Sequence, residues 1–457
     1  MARTAKCPTR GWSRAPTETS TGQPTRGGPT GDGSIFRITP SGILTTLYSF
    51  CSQGFPCTDG ENPSAGLVRT ECGDFYGTTF YGGANAFAGP AGGGTIFKIT
   101  PRGALTTLYT FCSQSGCADG ANPYAGLVQA ADGNFYGTTS GGGANGNYGT
   151  IFKITPSGTL TTIYSFCSQI GCADGENPNG LVQAYDGDFY GTTAAGGSGG
   201  WGTVFRIAPN GTLTTLHSFC SQSGCPDGAY PFAGLVQATN GDFYGTAWQG
   251  GARGRGMIFK ITPGGTLTTL YSFCSQSGCA DGANSEAALI QATNGDFYGT
   301  TQKGGADHAG TIFEITPGGT LTTHYSFCSQ NRCTDGEFPG AGLIQAANGD
   351  FYGTTQSGGE LAGYGTVFRL CLGLAPFVET QPASGRAGAV VKTLGTDLTG
   401  ASSVTFGGVP AVFGVSPSFE AITEIAAIVP AGARSGKVQV VTPGGTLSSG
   451  VPFRVLP

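Results

Sequence analysis

The 457 residues include 83 Gly and 26 Pro, about a quarter of the chain and roughly twice average usage, while Asp, Glu, Lys and Arg together make 11% and the net charge is −5. Charge this thin leaves no basic surface for nucleic acid. Glycine without a triplet period excludes collagen, 38% hydrophobic residues exceed what a disordered chain carries, and no apolar run reaches the roughly 18 residues of a membrane helix.

Residues 1–32 lack the grammar of the rest of the chain, and they lack the charged start, apolar core and cleavage site of an export signal. Shifted by one base, the codons from Arg10 to Thr25 permit G-L-V-x-x-x-D-G-N/D-F-Y-G-T-T/A, the wording of the repeat downstream. The expectation is an out-of-frame reading of a further repeat over residues 1 to about 26, a disordered 1–32, an artefactual Cys7 and an export signal further upstream.

From residue 33 to 371 one phrase organises the chain: D/N-F-Y-G-T begins at Asp74, Asn134, Asp188, Asp242, Asp296 and Asp350, at spacings of 60 and then 54 residues. A second phrase, I/V-F-x-I/L, begins at Ile35, Ile96, Ile151, Val204, Ile258, Ile312 and Val367, seven times in all. Periods near 50 residues signal propellers or other repeat arrays. Read from Gly126, one unit holds four short strands, GLVQA, NFYGTT, GTIFKIT and TLTTLYSF. A-D-G or T-N-G joins the first two, and P-S-G, P-G-G or P-N-G joins the last two; these are hairpin turns. A Gly-rich connection of variable length joins strands two and three and marks a surface loop. Four antiparallel strands in about 54 residues predict an all-β propeller of about seven four-stranded blades, the first and last incomplete.

Twelve of the 15 Cys form six local pairs, Cys51/Cys57, Cys112/Cys117, Cys167/Cys172, Cys220/Cys225, Cys274/Cys279 and Cys328/Cys333, each just after a fourth strand and bracketing a loop between blades. Six disulfide loops are the expectation, and they imply an oxidising compartment: periplasm, cell surface or medium. Free thiols and a metal site are the competing readings, and no metal is expected because four soft ligands would have to converge from pairs a blade apart. Cys7, Cys72 and Cys371 stay outside the pairing.

The phrases DGNFYGTT, GTIFKITP and TLTTLYSF resemble the tandem GloVer repeats of bacterial "choice-of-anchor" surface proteins over roughly residues 33–370. That resemblance implies a secreted, propeller-like protein and transfers no catalytic residue. After Cys371 the grammar changes. Gly395, Val404 to Ala411 and Val429 to Val438 carry a pattern similar to IPT/TIG immunoglobulin-like domains, which implies a β-sandwich over 372–457 with a spacer or adhesion role. Arg386, Lys392, Arg434 and Lys437 are too scattered for the basic loops with which some such domains bind DNA.

Chemistry has to break the repeat, since a residue present in every copy is explained as part of the blade. Asp74, Asp188, Asp242, Asp296 and Asp350 sit beside hairpin glycines and read as turn residues. Asp59, Asp119, Asp174, Asp227, Asp281 and Asp335 recur after the second Cys, where turn roles again outweigh a ring of cation ligands. His217 and His324 fall in fourth strands and read as strand-surface residues. No hydrolase, metalloprotease, Walker, dinucleotide or calcium-loop pattern occurs, so no catalytic residue, cofactor or metal is assigned. The departures are Trp201, Trp248, Arg253, Arg255, Lys303 and His308, with Asp307 and Glu360, nearly all in loops between strands two and three. They suggest an exported, non-catalytic propeller that binds an extracellular glycan or surface protein on one face, with an Ig-like spacer. An extracellular polysaccharide-active enzyme and a purely structural cell-envelope protein are the alternatives.

Overall fold

The computed structural model describes residues 12–13, 20–22, 31–39, 42–70, 73–84, 92–360, 363–381, 383–395, 398–416 and 423–456. The protein is all-β and propeller-like. Seven antiparallel sheets follow one another, and a sandwich comes after them. In the third sheet the strands are Val128–Gln129, Phe135–Thr139, Thr150–Ile154 and Leu160–Ser165, each paired with the next. Five further sheets repeat this order, and the seventh stops at three strands, Ile344–Gln345, Phe351–Thr354 and Val367–Leu370. Most of 1–32 lies outside the described residues, Cys7 included, as does Cys72. Within 1–32, Trp12–Ser13 and Ser20–Gly22 pair as strands one and two of the first sheet, which therefore has four strands.

Why F-Y-G recurs is steric. A Cβ on Gly245 would lie 2.6 Å from Phe259 Cζ and 2.9 Å from Leu235 Cδ2, so the glycine is a socket for the third-strand Phe. Gly137, Gly191, Gly299 and Gly353 meet Phe152, Phe205, Phe313 and Phe368 in the same way. The seated Phe also receives the fourth-strand Phe of the preceding sheet edge-on, as in Phe219–Phe259 at 5.3 Å and Phe273–Phe313 at 5.3 Å. The Tyr beside each socket stacks on the next sheet's Phe: Tyr190–Phe243 at 4.1 Å, Tyr244–Phe297 at 4.0 Å. From the second sheet to the seventh, neighbouring sheets are thus welded by two aromatic contacts per junction.

Polar side chains add a second weld. Gln183, Gln237, Gln291 and Gln345 end the first strands, and each accepts a backbone N–H from the preceding sheet's turn (Ala131, Tyr185, Thr239, Thr293) at 3.0 to 3.1 Å. Each also donates to its own turn carbonyl. The inner loops converge on an axis: Gly126 packs on Gly66 and Gly180 on Gly234.

All six expected disulfides form: Cys51–Cys57, Cys112–Cys117, Cys167–Cys172, Cys220–Cys225, Cys274–Cys279 and Cys328–Cys333. Among the described residues Cys371 is the free cysteine, exposed. The structure adds a role for the second half-cystines that the sequence expectation did not contain. They do not merely close a loop between blades. Cys117, Cys172, Cys225 and Cys279 all have left-handed backbone, φ 54°, 52°, 47° and 56°, and three of them end short 3-10 turns, Ser115–Cys117, Ile170–Cys172 and Ser277–Cys279, that strand patterning does not predict. So turned, each carbonyl accepts two backbone N–H groups. Cys117 takes those of Gly120 and Gly143, Cys172 those of Gly175 and Gly197, Cys225 those of Gly228 and Gly251, and Cys279 those of Gly282 and Gly305, at 2.8 to 3.0 Å. The second glycine of each pair opens a variable loop, so the disulfide loop is the anchor of the variable loop beside it. That partnership joins residues about 26 apart, too distant for local spacing to reveal.

An Asp pins each disulfide loop. Asp119, fully buried, accepts from Tyr109 Oη at 2.8 Å and from the Ser113 and Gln114 backbone N–H groups. Asp174, Asp281 and Asp335 repeat the arrangement with Tyr164, Tyr271 and Tyr325, and in the copy where His217 replaces Tyr its Nε2 lies 3.0 Å from Asp227. These carboxylates are occupied by donors, so the ring of cation ligands is not built. The sandwich encloses one core of Val378, Val391, Val404, Phe406, Ile425, Val438, Val440 and Phe453. Among the described residues no helix is long and apolar enough to cross a membrane, which leaves β-barrel spans unaddressed.

Two outcomes are expected from this packing. Gly245→Ala should lower stability by about 1–3 kcal/mol through overpacking, and Phe259→Leu in the same chain should recover part of the loss, read as denaturation midpoints. Tyr109, Tyr164 and Tyr271 are pushed up to about 12, first by burial, with their bonded carboxylates adding to it. Because the folded values exceed the ordinary value of 10.0, their stabilisation is complete below that pH and is lost as pH rises through about 12. In Tyr→Phe difference spectra the phenolates of these three residues should therefore appear late, together with unfolding; their titration near pH 10 in the folded chain would contradict it.

Candidate functional site

From the second sheet on, each unit enters its first strand through a phrase built on N-P-x-A-G-L; x is Ser64, Tyr124, Phe232, Glu286 and Gly340, and in the copy that reads N-P-N-G-L, one residue shorter, Asn179 stands directly before the glycine. All six line one cavity of ≈ 300 Å³ on the axis, where the inner loops converge. Ser64 and Asn179 are buried and spend their polar atoms between sheets, Ser64 on the Tyr124 carbonyl at 3.4 Å and Asn179 on the Pro231 carbonyl at 2.8 Å. Tyr124, Phe232 and Glu286 are half-buried.

The opposite end of the axis is covered. A second cavity of ≈ 870 Å³ lies between first-strand ends (Arg69, Gln129, Gln183, Gln237) and sandwich residues Gln381, Arg386 and Arg454. Arg69 stands where the five later copies hold Gln, and its Nη1 donates to Gln381 Oε1 at 3.4 Å; burial pulls its guanidinium below the usual range, against Glu424 and Glu379. Phe377 N–H donates to the Ala347 carbonyl at 2.9 Å and fixes the sandwich to the seventh sheet. The open face therefore carries the inner loops, the disulfide loops and the variable loops together.

On that face lies an aromatic cluster. Trp201, in the fourth sheet's variable loop, meets Tyr230 edge-on at 4.9 Å; Tyr230 stacks on Phe232 at 5.7 Å; and Trp248, in the fifth sheet's loop, lies 5.8 Å from Phe232. Trp201 is 36% exposed. The Trp248 indole N–H is buried with no hydrogen-bond partner among the described residues. Tyr230 adopts φ 55°, where four copies hold Asn, whose amide bonds the preceding sheet's loop carbonyl in Asn122, Asn177 and Asn284. A bulky residue held left-handed costs about 1–2 kcal/mol. Phe338 is the other aromatic at this position, at φ 56°, and of the two Tyr230 is the one flanked by tryptophans. So the structure joins Trp201 and Trp248 through Tyr230 and Phe232, a pair that sequence reasoning misses and that comparison of the N-P-x phrases copy by copy would have found. Arg253, Arg255, Lys303 and His308 are exposed on neighbouring loops, and none makes an ion pair among the described residues.

A second departure sits in the sixth sheet. The Asp of D-F-Y-G is elsewhere an ion-pair partner of the third-strand cation: Lys98–Asp74 at 2.6 Å, Arg206–Asp188 at 2.5 Å, Arg369–Asp350 at 2.6 Å. The local turn bond falls to the residue two positions earlier, as in Asp242 N–H donating to Asn240 Oδ1 at 3.1 Å. In the sixth sheet Glu314 replaces the cation, and His324 stands where other copies hold Leu or Ile; His324 Nε2 lies 2.6 Å from Glu314 Oε2 and stacks on Tyr298. Burial and Glu314 raise the Asp296 carboxyl. Burial also pushes Glu314 up, but bonds from His324, Asp296 and Tyr298 outweigh it and leave that carboxyl lowered. Carboxyl groups in direct contact leave no room for a sugar between them, since glycosidase pairs stand about 5–9.5 Å apart. The cysteine clusters with Asp32 and with Glu337 consist of half-cystines and offer no thiolate.

Among known proteins, the family model of the Gloeobacter/Verrucomicrobia repeat matches residues 8–179, 86–289 and 275–390. No curated protein matches the chain. Similar solved structures include a candidate 6-phosphogluconolactonase from Bacteroides fragilis NCTC 9343, with 16% identity, 74% of this chain and 90% of that one covered, and TM-score 0.42. A Mycobacterium tuberculosis puromycin-hydrolyzing peptidase shows 11% identity over 95% of this chain and 62% of its own, TM-score 0.47. Polysaccharide lyase Uly1 shows 10% identity over 79% and 89%, TM-score 0.46.

The sixth-sheet cluster yields a double-mutant cycle. Glu314→Lys with His324→Leu restores the cation opposite Asp296 and should add up to about 1 kcal/mol, whereas Glu314→Lys alone gains less because His324 then faces a cation. The deficit of the parent chain should widen as pH rises and Asp296 ionises beside Glu314; a pH-independent difference in denaturation midpoint would refute the assignment.

Proposed function

The chain belongs to the Gloeobacter/Verrucomicrobia repeat family, and from the face its repeats present we propose an exported, non-catalytic protein that binds a glycan on the aromatic cluster of Trp201, Tyr230, Phe232 and Trp248. The observation that carries this reading is a strained aromatic, Tyr230, held between two tryptophans on the uncovered face beside the axial cavity. Broad, rigid rings stack on the apolar face of a sugar, and Trp201 is the exposed ring of the cluster.

Glu286 on the axial cavity adds an acceptor, while Arg253, Arg255, Lys303 and His308 offer donors to acidic or hydroxyl groups further along a chain. Export rests on the six disulfides, which persist in an oxidising compartment such as the periplasm, cell surface or medium. The C-terminal sandwich, similar in pattern to IPT/TIG domains, then serves as a spacer or adhesion module behind the binding face.

The decisive comparison separates binding from folding. Tyr230→Asn returns the copy to the residue its backbone favours, so it should hold or raise the melting temperature while weakening glycan binding at least ten-fold. Trp201→Ala should weaken binding similarly with little change in stability, measured by calorimetry on the best glycan from an array. Binding indifferent to both substitutions, or turnover of polysaccharide by the purified chain, would sink the proposal.

A further inference from the structure

The variable loops differ in length and wording, yet each ends on one fixed position. The residue before the glycine that leads into the third strand offers its carbonyl to the backbone N–H of the next sheet's left-handed residue. Asp32 meets Asn62, Gly93 Asn122, Tyr148 Asn177, Trp201 Tyr230, Arg255 Asn284 and Ala309 Phe338, at 2.7 to 2.9 Å. The bond uses backbone atoms alone, so Gly93 and Ala309 make it as Trp201 does. Around the ring the third, fourth and fifth sheets therefore present Tyr148, Trp201 and Arg255 in succession, with nothing larger than a methyl group at Gly93 before them or at Ala309 after them. Tyr364 fills the position in the seventh sheet, apart from this row. Tyr148 is half-buried, and Trp201 and Arg255 are exposed.

Cations gather at one end of the row. From the second sheet to the seventh the Lys and Arg of the variable loops are Arg253, Arg255 and Lys303, all in the adjoining fifth and sixth loops. Lys98, Lys153, Arg206, Lys260 and Arg369 of the third strands are each tied to an Asp of the first hairpin. The three loop cations are exposed, and among the described residues none pairs with Glu286, Asp307 or any other acid. Two residues gather them against the aromatic cluster. The Asn284 N–H donates to the Arg255 carbonyl at 2.8 Å and its amide to the Trp248 carbonyl at 2.9 Å, while Ala283 exchanges backbone bonds with Lys303 at 2.7 and 3.0 Å. Rings thus give way to unpaired cations along one line of the open face.

We infer that the ligand of the open face is an acidic glycan, laid along this row with sugar rings on Tyr148 and Trp201 and a carboxylate or sulfate group on Arg255, with Lys303 beside it. The inference rests on the aromatic cluster being a glycan site and names the class of glycan it takes. A guanidinium grips a carboxylate through two parallel N–H bonds, and Lys adds a point charge. A neutral glycan leaves both cations in water and gains the stacking alone.

The test uses the full chain and matched oligosaccharides that differ in charge alone: hexagalacturonate and hexamannuronate, each against its methyl ester, and a sulfated carrageenan hexamer against its desulfated form. Calorimetry should show at least one acidic member binding about ten-fold more tightly than its neutral partner, with a preference that fades as salt rises. Which pair responds separates carboxylate from sulfate. Arg255→Ala should erase most of the preference and leave the neutral member's affinity and the melting temperature as they were, because Ala309 already fills this position in the sixth sheet. Lys303→Gln should lower the preference in part, and Trp201→Ala should weaken both members of the pair alike. Equal binding within every pair, a preference for neutral members, or a charge preference untouched by Arg255→Ala overturns this inference and leaves the aromatic site standing. A chain that binds no glycan, in these pairs or on an array, overturns both.

Discussion

The architecture rests on a missing methyl group. Because Gly245 and its equivalents lack a Cβ, the third-strand Phe drops into the sheet's own second strand, touches the Leu of strand one, and leaves its edge for the Phe of the preceding sheet. No sheet can bury these rings alone. Each unit finishes its neighbour's core. That interdependence explains why the strand phrases recur almost letter for letter: a change of volume in one copy is felt in two cores.

With the cores fixed, variation gathers in the inner loops and the variable loops, and it is there that the molecule specialises. The position after Pro in the inner loop varies freely because it faces the axial cavity. Substitutions inside the sheets come in compensating sets: Glu314 with His324, and His217 on the Asp227 that Tyr binds elsewhere. Tyr230 is different. It departs from Asn at a backbone angle that favours Asn, as Phe338 also does, and the exchange places its ring between two tryptophans.

Much of this was readable in the letters, since repetition itself is a form of evidence. Turn signals, strand lengths and the half-cystine spacing are local properties, and all six disulfides pair as their spacing suggests. What escaped was partnership across units. The Gln at the end of each first strand is visible, yet that Gln237 accepts from Tyr185 depends on how two sheets are set side by side. Likewise the Cys117 carbonyl meets Gly143 only once a strand pair has folded back between them. The D-F-Y-G carboxylates read as turn residues because the cation they bind lies about 20 residues away in sequence but adjacent in the sheet. Tyr230 and Phe232 were hidden by lying inside a repeated phrase whose other letters are regular. Where the sandwich docks left one trace only, the Arg69 that interrupts the series of Gln.

The docking of that sandwich gives the axis two unlike ends. One is lined by six different residues and opens beside the aromatic cluster; the other is covered by the sandwich at Gln381, Arg386 and Arg454. A polymer cannot thread through such a molecule. A long chain bound at that mouth would either lie across it like a rope over a pulley rim or present a terminus to the blind well. A ligand with free ends and one without, such as a linear and a cyclic oligosaccharide of equal composition, are thereby distinguishable to it on topology alone.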